Sequence, residues 1–322
     1  MRYIGLIAAV AGLALLTGLT AYYGFDSVIE AVVSSRWGTA LVVVARAVVL
    51  ATCGVGWWLL LTPAECGPRT FVGLRFVREG INALFPFTAV GGDVIGARLL
   101  AQFRVGTMAA IASVLVDIFM QVTSLFVFVL AGIGIAWTLV GSQPVTRAAM
   151  VIAIIAVPAV TGFFITLNFG AYAWVSRRLV AFGEKHQWAR LDHLFVLGDR
   201  LQQIWRSPRG LSASFVVHVA AVFLGAAEVW IALHFMGHGV SPAEAVAIES
   251  LGQGSRGAAF MLPGGLGVQD GTLIAASAIF GVPAEIALAM ALIKRVPDLV
   301  LGTPALFAWQ VLEGRQLLVA SK

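Results

Sequence analysis

Charged residues are scarce in this sequence. Asp, Glu, Lys and Arg make up 11% of its 322 residues, which is less than half of the share that is usual in a soluble globular domain. Apolar residues account for 60%, and the mean hydropathy is +0.93. This composition excludes an ordinary soluble domain and predicts an all-α, polytopic membrane helix bundle.

Cysteine is also scarce, and the common nucleotide and hydrolase motifs are missing. Cys53 and Cys66 are 13 residues apart without CxxC spacing, so neither a disulfide framework nor a thiolate metal site is indicated. The sequence has no Walker lysine motif and no GxSxG motif, which argues against ATP-driven pumping by this chain alone. We expect no cofactor.

Two weaker motif matches have simpler explanations. Residues 252–257 satisfy GxGxxG, but they follow an apolar helix instead of a strand in a βαβ unit, so we expect no nucleotide site. His234 and His238 are four residues apart, but Gly237 and Gly239 are expected to end their helix. Without a third ligand nearby, we expect no metal site.

Six apolar windows each reach the length of about 20 residues that a helix needs to cross the hydrocarbon core. The first has no charge over 21 residues and no clean small-x-small cleavage site after it, so we interpret it as a retained helix instead of a signal peptide. We therefore expect about six full spans, at residues 4–24, 37–63, 107–140, 148–170, 211–237 and 283–311.

Two further segments combine Pro, Gly-Gly and an acid within apolar sequence. They are REGINALFPFTAVGGDVIGAR at 78–98 and FMLPGGLGVQDG at 260–271. Irregular backbone at membrane depth is tolerated only where it is buried in protein or lines a cavity. Both segments are therefore predicted to be re-entrant broken helices at a working site.

The flanks of the two breaks resemble each other and indicate an internal repeat. Phe103 and Phe280 each precede a charged residue by 14 positions, Asp117 in one case and Lys294 in the other. We expect a single membrane domain over residues 1–322, with repeat cores at about 71–140 and 243–312. The charge count below gives the two repeats opposite orientations.

The positions of Lys and Arg favour a cytoplasmic N-terminus. In that topology 15 of the 21 basic residues are cytoplasmic, and only Arg36 and Arg147 lie outside. We therefore expect both termini on the cytoplasmic side of a bacterial inner membrane. The same bias explains the net charge of +5 through topology and anionic headgroups, so we expect no nucleic-acid partner.

The longest polar connection, at 176–210, is basic and too short for an independent catalytic domain. Within it, Leu194, Leu201, Ile204 and Trp205 recur at helical spacing. This pattern predicts an amphipathic helix on the cytoplasmic face. Its apolar side is suited either to packing on the membrane domain or to sensing lipid.

Ionisable residues and helix breakers at membrane depth are the candidate site. Pairing within the bundle is the simplest explanation for the charges, and we consider Arg75 with Glu79, Glu249 with Arg256, and Lys294 with Asp298. No residue is assigned as catalytic. The candidates for a lipid-binding and translocation cavity are Arg78, Glu79, Asn82, Pro86, Gly91, Gly92, Asp93, Arg98, Asp117, Glu249, Arg256, Pro263, Gly264, Gly265, Gln269, Asp270, Lys294, Arg295 and Asp298.

Two candidate aspartates follow the breaks directly. Asp93 comes after Gly91-Gly92, and Asp270 comes three residues after Gly267. Each can cap the helix that it begins. The alternative is that the free amides at these helix starts, together with nearby arginines, receive a lipid headgroup. We favour capping and keep both interpretations.

At these residues the sequence resembles the flippase-like membrane domain of lysylphosphatidylglycerol synthases. The resemblance rests on the break at 82–86, Gly-Gly-Asp at 91–93 with Arg98, ASVLVD at 112–117 and PGGLGVQDG at 263–271. Residues 78–98 are more similar to the stand-alone branch associated with hopanoid biosynthesis. Many relatives carry Glu-Arg where this chain has Asp117-Ile118, so a headgroup contact by that arginine is not carried over.

The resemblance implies a lipid-translocating protein of the inner membrane without the soluble synthase domain. We expect it to move a hopanoid or another polar-headed lipid, such as a phospholipid, between leaflets. Lipid-biosynthesis enzymes are possible partners. The alternative is a membrane enzyme, or an accessory subunit of lipid modification, that uses Glu249, His218 or Asp270 for acid–base chemistry.

The topology has a direct test. Single cysteines introduced as Arg36→Cys and Thr146→Cys are expected to react with a membrane-impermeant thiol reagent added to the periplasmic side, whereas Gln187→Cys is not. The measurement is the labelled fraction of each variant in intact cells. The opposite labelling pattern would remove the argument for inverted repeats.

Overall fold

The computed structural model describes residues 33, 35–61, 66–84, 91–141, 147, 151, 192–258 and 267–320. This part of the chain is helical and contains no strand, which confirms the all-helical class. In chain order the helices are α1 Trp37–Trp58, α2 Pro68–Leu84, α3 Gly91–Ala101, α4 Thr107–Val140, α5 Asp192–Trp205, α6 Pro208–Phe235, α7 Pro242–Ala258, α8 Val268–Ile279, α9 Ala284–Ile293 and α10 Val296–Ala320.

Helices α1, α4 and α6 are long and apolar enough to cross a membrane. They contain 22, 34 and 28 residues and correspond to three of the six predicted windows. Windows 4–24 and 148–170 lie outside the described residues, apart from position 151. The chain is thus a membrane protein with apolar spanning helices, and the number of six spans stays a prediction.

The sixth window, 283–311, does not form one helix. It contains α9 and α10, which are separated at Lys294 and Arg295. Pro297 lies in the first turn of α10, where its missing N–H group would have no intrahelical partner. The proline therefore begins a helix here instead of kinking one.

The first two helices of each predicted repeat core match in order and length, whereas the third helix has 34 residues in α4 and 10 in α9. Helices α2 and α7 have 17 residues each. They are followed by α3 with 11 residues and α8 with 12. Short turns then lead to α4 and α9. The connections at 85–90 and 259–266 lie outside the described residues, and the opposite orientation of the halves stays a prediction.

Apolar side chains form two main clusters. One lies around α2, α3 and the start of α4 and includes Phe71, Leu99 and Leu100. The other joins α6, α7, α8 and α9 through side chains such as Leu233 and Leu288. Helix α1 packs against both α2 and α6. It therefore lies where side chains from the two groups of helices can meet.

Helix α5 confirms a helix within the polar connection. Ile204 is buried, and Leu201 and Trp205 are partly buried against the first apolar cluster. The ring of Trp205 meets that of Phe119 edge to face at 5.4 Å between centroids. The apolar side of α5 therefore packs on the membrane domain.

A glycine allows the close approach of α4 and α7. A Cβ atom on Gly132 would overlap the side chain of Ser250. Gly134, two residues later on α4, has open space around the same position. Gly132 thus marks the point where the two helices touch, as small residues do in membrane bundles.

We expect Gly132→Ala to lower the free energy of unfolding by about 1–3 kcal/mol because the added methyl overpacks this contact. Gly134→Ala should be neutral or slightly stabilising, since alanine has the better helix propensity. Thermal unfolding of the purified protein in detergent measures both. Equal unfolding temperatures for the two variants would show that Gly132 is not a tight contact.

Candidate functional site

Three ionisable side chains from α2 and α4 are buried together. Arg75 is 7% exposed, Arg78 is 1% exposed, and Asp117 is completely buried. Both arginines belong to the 15 basic residues that the predicted topology places on the cytoplasmic side, but they point into the helix bundle. Ionisable groups at membrane depth cost several kcal/mol unless they are satisfied by partners. The contacts below supply those partners.

Arg78 of α2 contacts side chains of α1, α3 and α4. Its Nη1 donates to Asp117 Oδ2 at 2.7 Å, and its Nε donates to Asp93 Oδ1 at 3.0 Å. The guanidinium lies 4.6 Å from the centre of the Trp57 ring. A planar guanidinium can pair with two carboxylates and stack on an aromatic face at once, which the ammonium of lysine cannot do.

Glycines bring α3 close enough for these contacts. A Cβ atom on Gly92 would overlap the backbone oxygen of Arg78, and one on Gly96 would overlap the Arg78 side chain. The Gly92 N–H donates to Asn82 Oδ1 at 2.9 Å, so Asn82 satisfies one free donor at the start of α3. Gly96 was not among the predicted site residues, although Gly92 and Gly96 have the GxxxG spacing that is typical of close helix contacts.

Arg75 extends the network along α2. Its Nη1 lies 3.4 Å from Asp117 Oδ2, and its Nη2 lies 3.4 Å from Glu79 Oε2, as the sequence spacing indicated for Glu79. Gln121, which sequence analysis missed, accepts from Arg75 Nη2 at 2.7 Å and donates to Asp117 Oδ2 at 2.7 Å. Its position one turn after Asp117 was the available signal.

His218 of α6 lies on the other side of Asp117. Its Nε2 is 3.2 Å from Asp117 Oδ1 without an aligned hydrogen bond. Its Nδ1 is 2.9 Å from the carbonyl oxygen of Ser214. A Cβ atom on Gly56 would overlap this ring. His218 is therefore enclosed by α1, α4 and its own helix.

A second group of buried charges surrounds Lys294 at the end of α9. Lys294 Nζ donates to Glu249 Oε2 at 2.8 Å and to Glu228 Oε2 at 3.2 Å. Gln253 donates to Glu249 Oε1 at 2.8 Å. The predicted pairs Glu249 with Arg256 and Lys294 with Asp298 are therefore wrong. The break between α9 and α10 removes Lys294 and Asp298 from a common helical register.

Asp270 has two functions at the start of α8. Its Oδ2 accepts the Gly267 N–H at 3.1 Å, so the carboxylate caps its helix. The same carboxylate accepts from Arg295 Nη2 at 2.7 and 2.9 Å. Asp93 occupies the corresponding position in α3 and pairs with Arg78.

Arg46 of α1 connects the two groups of charges. Its Nη2 donates to Glu79 Oε1 at 2.9 Å, and its Nη1 lies 3.9 Å from Glu228 Oε1. Arg46 was not among the predicted site residues. Its signal was a lone arginine in the apolar window 37–63, because an isolated charge at such depth requires partners.

Two cavities lie beside these charges, and Asn82 borders both. The larger cavity has a volume of about 250 Å³ and is lined by Arg75, Asp93 and Gln121 on its polar side. The smaller cavity measures about 80 Å³. Its lining includes Arg46, Glu228, Arg256, Gln269, Asp270, Lys294, Arg295 and Asp298.

Arg256 and Asp298 differ from the other charges of the smaller cavity. Within the described part of the chain, neither makes an ion pair or a side-chain hydrogen bond. Both line the cavity. They are therefore charged groups with free hydrogen-bonding capacity toward whatever enters it.

The family model for the lysylphosphatidylglycerol synthase TM region matches residues 5–305. The chain belongs to this family. No curated protein and no solved structure matches it. Membership of the lysylphosphatidylglycerol synthase transmembrane family confirms the resemblance found in the sequence and fits a role connected with membrane lipids. The association with hopanoids stays a prediction.

Most of the predicted site residues in this family member either line one of the two cavities or form ion pairs with residues that do. Arg98 does not. Its side chain is 64% exposed and pairs with Glu313 at 2.7 Å, and it borders neither cavity. Gly91 begins α3. Pro86, Pro263, Gly264 and Gly265 lie outside the described residues.

The GxGxxG match is part of a packed helix. Residues 252–257 belong to α7. A Cβ atom on Gly252 would press on Leu273 of α8, and one on Gly254 would contact Val129 of α4. These glycines therefore allow α7 to pack against α8 and α4.

Replacement of Asp117 tests the central ion pairs. We expect Asp117→Asn to lower the free energy of unfolding by about 3–5 kcal/mol, because Arg75 and Arg78 would lose a shared buried partner. Arg98→Gln breaks an exposed pair and should cost less than about 1 kcal/mol. Thermal unfolding in detergent compares them. Similar losses would contradict the central position of Asp117.

Proposed function

We propose that this protein moves a polar-headed lipid between the leaflets of the bacterial inner membrane. The headgroup passes through the charged interior while the hydrocarbon part remains in the bilayer. One observation carries the proposal: two cavities with buried polar walls are both lined by Asn82. Polar cavities at membrane depth are the feature that a headgroup path requires.

The buried polar groups lower the cost of taking a headgroup out of water. A headgroup that leaves water without new hydrogen bonds loses several kcal/mol. The larger cavity offers Gln121, Asn82 and the edges of paired arginines. The smaller one adds Arg256 and Asp298, which line it and make no ion pair or side-chain hydrogen bond with a described residue. These groups replace the water of a passing headgroup.

Arg46 is suited to control passage between the two groups of charges. Its hydrogen bond is to Glu79, while Glu228 Oε1 lies 3.9 Å away and is buried without a hydrogen bond. A small movement of Arg46 would exchange one acceptor for the other. Two alternative pairings of this kind provide the discrete states that transport needs.

The matching lengths of α2 with α7 and of α3 with α8 support the inverted-repeat arrangement. In our proposal the two halves are re-entrant from opposite sides, and both termini are cytoplasmic. Rocking of one half against the other would then open the site to each side in turn, as in transporters with inverted repeats.

The resemblance to the stand-alone branch makes a hopanoid the first cargo to test, and a phospholipid is the second. Lipid-biosynthesis enzymes are the expected suppliers. The alternative of acid–base catalysis has less support. Glu249 pairs with Lys294, and Asp270 pairs with Arg295. His218 borders neither cavity. A deletion strain that lacks a modified lipid altogether would favour an enzyme, whereas normal lipids in the wrong membrane favour transport.

Leaflet exchange in proteoliposomes tests transport. Vesicles with the purified protein and a trace of fluorescently labelled hopanoid or phospholipid are treated with an impermeant quencher. The wild type should expose inner-leaflet label faster than empty vesicles do. Arg256→Gln should slow exchange about tenfold, which corresponds to ~1.4 kcal/mol, because the cavity loses its unpaired cation.

Arg98→Gln is the matched control, since it makes the same replacement at an exposed arginine away from both cavities. It should exchange lipid at the wild-type rate. Wild-type exchange no faster than in empty vesicles for every lipid tested would refute the proposed function.

A further inference from the structure

The larger cavity has two chemically different walls. Its polar wall includes Arg75, Asp93 and Gln121, whereas Ile118, Val122 and Leu125 form the apolar wall. The three apolar residues are spaced by four and three positions on α4, so they lie on one helical face. Such a division fits an amphipathic molecule and does not fit a simple ion.

The apolar wall reaches the outside of the helix bundle. Val122 is 44% exposed, and Ile118 and Leu125 are partly exposed. Helix α4 is long and apolar enough to cross the membrane, so the outer part of this face contacts lipid. A hydrocarbon tail can therefore lie along α4 while its headgroup occupies the cavity.

The charges around the polar wall balance. Arg46, Arg75 and Arg78 face three carboxylates, and each carboxylate has at least one arginine within ion-pair distance. The pairs are Glu79 with Arg46 and Arg75, Asp93 with Arg78, and Asp117 with Arg75 and Arg78. An ionic headgroup would find no surplus opposite charge here, and it would still lose its water.

One hydrogen-bond donor at this wall is unused. Arg75 is 93% buried, its Nη atoms are engaged, and its Nε is buried without a partner. This donor is enclosed by protein, so a headgroup meets the lining side chains in front of it, which include Gln121 and Asn82. An uncharged hydroxyl can form hydrogen bonds with such polar groups without disturbing the balance of charge.

The geometry points to the larger cavity as the binding site for a lipid with an uncharged, hydroxyl-bearing headgroup. The headgroup lies against Arg75 and Gln121, and the hydrocarbon part lies along Ile118, Val122 and Leu125. The chemistry of this site specifies the class of lipid that the protein moves. This inference rests on the proposed function. Binding itself is measured separately from movement.

Native mass spectrometry of the purified protein in detergent tests the site. The probes are monoglucosyldiacylglycerol and phosphatidylglycerol with the same acyl chains. We expect the uncharged glycolipid to bind about tenfold more tightly than the anionic lipid. Equal or tighter binding of phosphatidylglycerol would overturn the proposal.

Two exposed valines of α4 provide a matched pair of variants. Val122→Trp puts a large ring into the apolar wall and should weaken glycolipid binding about tenfold. Val127→Trp makes the same change at a residue that is 38% exposed and does not border the cavity. It should bind as the wild type does. Equal behaviour of the two variants would overturn the site.

Arg75→Lys tests the headgroup contact. It retains the positive charge but removes the Nε donor and the planar fork. The preference for the glycolipid over phosphatidylglycerol should fall, while a folded protein is verified by its unfolding temperature. An unchanged preference in a folded variant contradicts the contact. If this variant does not fold, the two tryptophan variants still decide whether the site exists.

Leaflet exchange of labelled glycolipid separates this inference from the proposed function. Binding that is lost in Val122→Trp, together with no exchange by the wild type, would leave the site intact and refute transport. Exchange by the wild type that Val122→Trp does not slow would leave transport intact and overturn the site.

Discussion

The Asp117 carboxylate is the contact on which the arrangement of the first half depends. It is completely buried and accepts from Arg78 and Gln121 at 2.7 Å, with Arg75 and His218 also close. Without it, Arg75 and Arg78 would be buried with too few carboxylates to neutralise their charges. The contact therefore holds α2 and α6 against α4, and through Arg78 it also positions α3.

The same network explains how a membrane interior can contain so many charges and still be suited to a polar cargo. Arg46 connects Glu79 on α2 with Glu228 on α6, so the two groups of ion pairs are in contact. Most charges are neutralised by their neighbours, while a few groups remain available beside the cavities. Available groups at the edge of a balanced network can bind and release a headgroup without unpairing the rest.

Helical spacing predicted one of the three ion pairs that the sequence suggested. The pair of Arg75 with Glu79 lies within one helix and was predictable from its spacing. Lys294 pairs with α6 and α7 instead of Asp298 because the helix breaks after Ile293. Arg46 was not assigned to the site, because its partners Glu79 and Glu228 are on other helices. Gln121 was not assigned either, although Asp117 lies one turn before it on the same helix.

The sequence alone determined the membrane class, the windows of α1, α4 and α6, and the presence of ionisable residues at depth, because hydropathy and helix breaking are local properties. The family resemblance was also available from the residues. Only the tertiary structure decided which charges pair, which remain available, and that Asn82 borders two cavities. Those features depend on side chains from different helices meeting, and a close approach such as that of Gly96 to Arg78 depends on how the helices pack.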